Sequence, residues 1–102
     1  MRLEEEEPAV TAIKQEVKRE ESEPGRFKVS CRIRVRNDTD GEVPVEVVDT
    51  PADTGWKMFS YAHPYRRDGD LAIFELSIPA HGEKVIRYTI LTERPAPALP
   101  RR

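Results

Sequence analysis

Hydrophobic and polar residues alternate with a period of two through much of the middle of the chain. The clearest stretch is 27–36, where polar residues alternate with Phe27, Val29, Cys31, Ile33 and Val35. This period is that of a half-buried β-strand. Turn-forming residues follow from Asn37 to Gly41, and the alternation resumes over 43–48. We therefore predict a β-hairpin between the two stretches, with Pro44 placing the second strand at a sheet edge or a bulge because proline lacks a ladder donor.

Three further strands are predicted after a second turn cluster at 50–55. They run from Trp56 to Tyr61, from Leu71 to Ile78 and from Lys84 to Leu91, separated by turns at Asp68-Gly69 and 79–82. The segment 10–18 fits a helix and a strand almost equally. A strand is preferred there because a five-stranded sandwich would leave edges that a sixth strand could pair with. The predicted fold is all-β, a single antiparallel sandwich of immunoglobulin or fibronectin type III-like form with about six to seven strands.

The length and composition allow one domain with polar segments at both ends. The chain has 102 residues, of which 37% are hydrophobic and 35% are charged. We predict an acidic disordered lead over 1–9, a sandwich domain over 10–92 and a Pro-rich tail over 93–102. Residues 1–24 hold eight acidic and four basic residues, net −4, and the remainder is net +2.

Charge pattern, apolar run length and cysteine content limit the kinds of partner and segment that the chain can have. No basic run interleaved with aromatic residues is present, so we expect no nucleic-acid binding. No apolar run is long enough for a membrane span, and the acidic amino terminus is unlike a signal peptide. The lone Cys31 cannot form an intrachain disulfide. The compartment stays open: the cell envelope or periplasm if the chain belongs to an exported protein, and the cytoplasm otherwise.

The residues 35–49, Gly55-Trp56-Lys57 and 78–90 carry a family resemblance. These residues contain, in order, a strand ending in Asn, a polar turn, a Val-rich strand and a Trp-bearing strand. A Pro-Ala-His-Gly-Glu turn then leads into a Tyr-bearing strand. The pattern resembles the carboxy-terminal immunoglobulin-like β-sandwich module of a widespread bacterial family of uncharacterised proteins. The resemblance implies one domain of a larger bacterial protein, often exported, and brings no catalytic residues with it.

Aromatic residues near the fourth predicted strand are candidates for binding. Trp56 is expected in the core, because burying its large apolar side chain would stabilise a small sandwich most. The alternation places Phe59 and Tyr61 together on the opposite face, with His63 and Tyr65 beyond them. These four form a candidate contact patch, the alternative being local packing beneath the loop 62–70.

Arg32, Arg34 and Arg36 project from one strand face and could meet an acidic partner. Glu42 and Glu46 are predicted across the hairpin, where cross-strand ion pairs would make an ordinary solvated surface. No metal site or cofactor is expected, since the Asp pairs at the turns do not have calcium-loop spacing and the two histidines lack partners. Cys31 is in phase with the core and is not expected to be a nucleophile.

The sequence thus favours a non-catalytic module with a structural or protein-interaction role. Its expected partner is another protein, a neighbouring domain or a second copy of the chain that pairs with an edge strand at 43–48 or 10–18. The alternative is a carbohydrate-binding module that uses the aromatic residues near 56–65. No enzyme motif is present to support a catalytic reading.

Overall fold

The computed structural model describes residues 9–52 and 55–93. Every regular element in this part of the chain is a strand, and the strands in chain order are β1 (Val10–Glu23), β2 (Arg26–Asn37), β3 (Val43–Asp49), β4 (Lys57–Tyr61), β5 (Arg66–Asp68), β6 (Leu71–Ile78) and β7 (Glu83–Glu93). The predicted all-β fold is confirmed, as is the preference for a strand at 10–18. The predicted acidic lead lies outside the described residues apart from Ala9, and so does the Pro-rich tail apart from Glu93.

The strands form two antiparallel sheets around one core. A four-stranded sheet has the order β1-β2-β7-β4, and a three-stranded sheet has the order β3-β6-β5. The predicted hairpin between β2 and β3 is wrong, because these strands belong to different sheets. Both edges of β2 are taken, one by β1 and the other by β7, so no main-chain donors or acceptors remain for β3. The position of Pro44 in an edge strand is confirmed.

A hairpin joins β1 to β2 through Pro24 and Gly25. Glu23 pairs with Arg26 across this two-residue turn, and Gly25 has a φ of 79°. Proline followed by a glycine with positive φ suits the two central positions of a type II turn. This hairpin was not predicted, although the Pro-Gly pair is a sequence signal for it. As a result β1 runs beyond the predicted end at Lys18, to Glu23.

The core contains alternate residues from both sheets. In β2 four of the five predicted residues, Val29, Cys31, Ile33 and Val35, are buried, and Phe27 is partly buried. Trp56, just before β4, is 1% exposed. The fully or nearly fully buried hydrophobic side chains of the strands include Ile33, Val35, Val47, Phe74, Ile78, Ile86 and Ile90. Each comes from a position where the strand pleat points towards the facing sheet. The predicted core position of Trp56 is confirmed.

Asn37 closes one end of the core and is 0% exposed. Its Nδ2 group lies 2.9–3.0 Å from the carbonyl oxygens of Gly41, Ile78 and Pro79, to which it donates. Its Oδ1 accepts hydrogen bonds from the main-chain N–H and the hydroxyl of Thr39 at 2.9 and 2.7 Å. One amide therefore connects the end of β2, the loop before β3 and the end of β6. It stabilises the point where the chain leaves one sheet for the other.

Candidate functional site

The outward-facing side chains of the four-stranded sheet, here called the outer face, contain the predicted arginine ladder. Arg32, Arg34 and Arg36 alternate along β2 with buried Ile33 and Val35, so they project away from the core as predicted. Arg34 and Arg36 are exposed and Arg32 is half-buried. The local strand period was enough to place these three side chains on one face.

The ion partners of this ladder differ from those predicted. Arg34 Nε lies 3.2 Å from Glu83 Oε2, and Arg36 Nε lies 2.7 Å from Asp38 Oδ1. Glu46, predicted opposite the arginines, instead pairs with Arg66 at 2.9 Å on the other sheet. Glu42 lies in the loop before β3. The prediction of cross-strand pairs with Glu42 and Glu46 is wrong because β2 and β3 are not neighbours.

Arg32 has a different environment from the other two. Its Nη2 donates to Oε1 of Gln15 on β1. Its neighbour on β7, directly opposite in the ladder, is Arg87. In the described ranges 9–52 and 55–93, no carboxylate pairs with either guanidinium. Two like charges therefore face one another across two central strands.

Exposed hydrophobic side chains lie on the same outer face. Ile13, Val17 and Phe59 are 60%, 59% and 55% exposed. Ile13 pairs in register with Arg34, which places it on this face. Val17 lies at a bulge of β1, between Glu16 and Lys18, and Phe59 at a bulge of β4, between Met58 and Ser60.

The bulges explain the exposure of Val17 and Phe59. A bulge inserts one residue that has no partner in the neighbouring strand and re-aims its side chain. The Phe59 ring lies 4.3 Å from Lys28 Nζ, a cation–π contact with a side chain of β2. Because a bulge depends on the neighbouring strand as well as on its own residues, strict alternation could not locate these positions.

An open groove of about 450 Å³ crosses the outer face. Its lining includes Val17, Ser30, Arg32, Ser60, Arg87 and Thr89. Thr89 pairs in register with Ser30 on one side and with Ser60 on the other. The Ser30 and Thr89 hydroxyl oxygens are 2.9 Å apart. These short side chains leave a depression between longer neighbours, and its polar groups can donate or accept hydrogen bonds.

The other predicted aromatic residues, Tyr61, His63 and Tyr65, lie at the end of β4 and in the loop that leads to β5, and not beside Phe59. The end of β4, this loop and β5 are here called the β4–β5 edge. The bulge shifts the phase of β4, so Tyr61 pairs with inward-facing Tyr88. The Tyr61 and Tyr65 rings meet edge to face, 5.1 Å apart at 78°. Tyr65 in turn packs against the core residue Phe74, with ring centroids 6.1 Å apart. The prediction that Phe59 and Tyr61 share a face is therefore wrong.

His63 belongs to the same edge. Its ring centroid is 6.3 Å from that of Phe74, and Nδ1 lies 2.8 Å from the carbonyl oxygen of Pro64. Tyr65 and His63 are half-buried, whereas Tyr61 is 56% exposed. The edge thus offers one exposed phenol ring beside half-buried rings, and Tyr61 and Tyr65 do not form a flat stacking platform.

Trp56 is held by polar contacts as well as by the core. Its Nε1–H donates to the carbonyl oxygen of Asp70 at 2.9 Å. The Arg67 guanidinium lies 3.7 Å from the ring centroid and donates to the Trp56 carbonyl oxygen at 2.7 Å. These contacts seal the β4–β5 edge and stabilise the ring in place.

A buried polar cluster that was not predicted from the sequence lies between the sheets. Asp49, 3% exposed, accepts a hydrogen bond from the Tyr88 hydroxyl and lies 3.0 Å from Lys14 Nζ. Lys14 comes from β1 and Asp49 from β3, so the pair connects the two sheets. The available signal was a charged residue in phase with buried neighbours: Lys14 follows Ala12, and Asp49 follows Val47.

Cys31 lies near this cluster and is buried as predicted. Burial raises the pKa of its thiol, and burial also raises the pKa of the Tyr88 hydroxyl, with the Asp49 carboxylate adding to the effect. A protonated, buried thiol is a poor nucleophile. The second histidine, His81, lies in the turn between β6 and β7, where its Nε2 is 2.7 Å from Asp40 Oδ1.

The described residues contain no group of three or more His, Cys, Asp or Glu side chains placed to hold a metal ion. Within the same ranges, no helix is long and apolar enough to cross a membrane. No protein-family model matches the chain, and neither a curated protein nor a solved structure is significantly similar to it.

Proposed function

We propose that this chain is a non-catalytic β-sandwich module that binds a protein partner through the outer face of its four-stranded sheet. One observation carries the proposal. Of the four large hydrophobic side chains that are strongly exposed in the described residues, three lie on this face: Ile13, Val17 and Phe59. Ile13 and Val17 on β1 and Phe59 on β4 flank the charged residues of the two central strands, β2 and β7. A surface that combines exposed apolar and aromatic side chains with arginine is typical of protein interfaces.

The outer face is favoured over an edge strand as the contact surface. Both strands predicted to pair with a partner, β1 and β3, do lie at sheet edges. The exposed half of β1, however, is bulged between Glu16 and Lys18 and between Glu21 and Glu23, and β3 lacks one donor at Pro44. Bulges, charges and prolines are the devices by which edge strands avoid further pairing.

We further propose that the module is immunoglobulin-like and is one domain of a larger bacterial protein. Two facing antiparallel sheets with four and three strands and a buried tryptophan support this type of fold. The strand order differs by an exchange of the fifth and seventh strands. The last strand, β7, lies between β2 and β4, whereas the fifth strand has this place in immunoglobulin domains, and β5 lies beside β6, where those domains have the seventh strand.

A photo-crosslinking residue at Phe59 tests the interaction role, with one at Glu75 on the exposed side of the three-stranded sheet as the matched control. We expect the Phe59 position alone to capture one protein from cells that produce the full chain. That protein, once purified, should bind the chain saturably and bind Ile13→Ser with lower affinity. Equal capture at both positions, or no saturable binding, would overturn the proposal.

A further inference from the structure

The arginine pair Arg32–Arg87 is an unusual arrangement for a surface that serves only as a solvated face. Like charges directly opposite one another in an antiparallel ladder destabilise a sheet. On the same face Arg34 and Arg36 have carboxylate partners, Glu83 and Asp38. The arginine pair has no carboxylate partner within the described residues, and Arg32 donates its side-chain hydrogen bond to the neutral amide of Gln15. The arginine pair thus brings two adjacent positive charges together without a carboxylate partner in the described residues.

The arginine pair borders a row of hydroxyl groups. Ser30, Thr89 and Ser60 lie side by side on β2, β7 and β4. Ser30 and Thr89 are each two residues along their strand from the arginine pair, on the same face of the sheet. The groove includes both arginines and all three hydroxyl residues. On the far side of the hydroxyl row, Lys28 lies over Phe59. A ligand in the groove would therefore meet guanidinium groups on one side and hydroxyl groups beneath it.

We propose that the arginine pair and the adjacent hydroxyl row bind a single oxyanion, a carboxylate or a phosphorylated side chain, of the partner polypeptide. This inference rests on the proposed protein-binding function and names the chemistry of that partner. Opposite residues of an antiparallel pair have Cα atoms about 4.5–5.5 Å apart, so one oxyanion can accept hydrogen bonds from both guanidiniums. Planar guanidinium donors match the oxygens of carboxylate and phosphate groups. Binding would also relieve the repulsion between the two arginines.

A single oxyanion fits this face better than a polyanion such as nucleic acid. A nucleic-acid site needs several cations that follow a phosphate backbone. On one side of the arginine pair, Arg34 and Arg36 are already neutralised by Glu83 and Asp38, and on the other side the nearest cation of β2, Lys28, lies over the Phe59 ring. The partner residue is expected to be an acidic or phosphorylated side chain flanked by apolar ones that contact Val17.

Two charge-matched double variants of the full chain test the site. Arg32→Gln with Arg87→Gln removes the unneutralised pair, and Arg34→Gln with Arg36→Gln removes the same charge from the same face. Inorganic phosphate and acetate are titrated into each protein at constant ionic strength, with chloride as reference, while amide and guanidinium resonances are followed by NMR.

We expect saturable shifts centred on Ser30, Arg32, Arg87 and Thr89 in the wild type and in the Arg34/Arg36 variant. Binding to the Arg32/Arg87 variant should be at least about tenfold weaker, because charge-assisted hydrogen bonds are lost. Equal weakening in the two variants, or wild-type shifts that do not saturate or that chloride reproduces across the surface, would overturn the inference.

Synthetic peptides that carry Glu, phosphoserine or Gln at one position between apolar residues then distinguish the source of the oxyanion. Binding of either charged peptide but not of the Gln peptide supports the inference, and binding of all three with equal affinity contradicts it. If the Phe59 crosslinker captures a saturable partner whose affinity is unchanged by Arg32→Gln with Arg87→Gln, the oxyanion site fails while the proposed function stands.

Discussion

Asn37 provides the sharpest test of how the two sheets are held together. Replacing it with Ala removes an amide that donates to three carbonyl oxygens and accepts two hydrogen bonds, all with no exposure to solvent. An amide nitrogen has two hydrogens, so its three contacts share two donors, and the side chain makes the equivalent of about four hydrogen bonds. At about 1 kcal/mol net for each bond, the expected loss is about 3–4 kcal/mol.

The assay is urea unfolding followed by the fluorescence of Trp56, the only tryptophan. Asp38→Ala is the matched control, because Asp38 is the next residue, is exposed and pairs only at the surface with Arg36. We expect its effect to stay within about 0.5 kcal/mol. A loss below about 1 kcal/mol for Asn37→Ala would refute the argument that this amide holds the end of the core.

Asn37→Asp separates hydrogen bonding from side-chain volume. Aspartate keeps the acceptor for Thr39 but turns an oxygen towards the carbonyls of Gly41, Ile78 and Pro79. A carboxylate has no proton to donate, so the variant should be at least as unstable as Asn37→Ala at neutral pH. It should recover part of the loss as the pH falls and the carboxyl group is protonated. Wild-type stability of Asn37→Asp at neutral pH would contradict the assigned donor role.

Three further predictions concern the core. Trp56→Ala should lower the free energy of unfolding by about 3–5 kcal/mol, measured by circular dichroism because the fluorophore is gone; a loss below about 1 kcal/mol would contradict its burial. Lys14→Met leaves the Asp49 carboxylate without its cation and should lower the free energy of unfolding in urea by about 1–3 kcal/mol. This is less than for a fully buried pair, because Lys14 is 26% exposed. The double variant with Asp49→Asn should recover part of this loss, and no recovery would argue against the pair. The raised pKa values of Cys31 and Tyr88 mean that both groups keep their protons in the folded protein at pH values where the unfolded chain releases them. Their contribution to stability is complete below the unfolded pKa values of about 8.5 and 10 and is lost as the pH rises above them. Unfolding measured from neutral to alkaline pH should show this decline, and Cys31→Ala and Tyr88→Phe should each reduce its slope; unchanged slopes would contradict the assignment.

The candidate site shows which features of a surface are visible in a sequence. The outward direction of Arg32, Arg34 and Arg36 followed from alternation alone, since the pleat of a strand is a local property of the backbone. Their partners did not follow, because an ion pair depends on which strand lies alongside. The separation of Phe59 from Tyr61 likewise arises from a bulge, whose position depends on the pairing of β4 with β7.

The sequence by itself determined the all-β class, the approximate positions of every strand except β5, and the buried faces of β2, β3, β6 and β7. It also indicated the core position of Trp56. These features follow from the period of two and from turn-forming residues, which act over a few neighbouring positions.

Only the tertiary structure decided that β7 lies beside β2, that Arg87 faces Arg32 and that Lys14 meets Asp49 between the sheets. Sheet order results from hydrogen bonds between residues distant in the chain. Several orders would bury the same alternating side chains, and the choice among them depends on loop contacts such as those of Asn37. The exposed face and its arginine pair are therefore products of the strand order and not of any one strand.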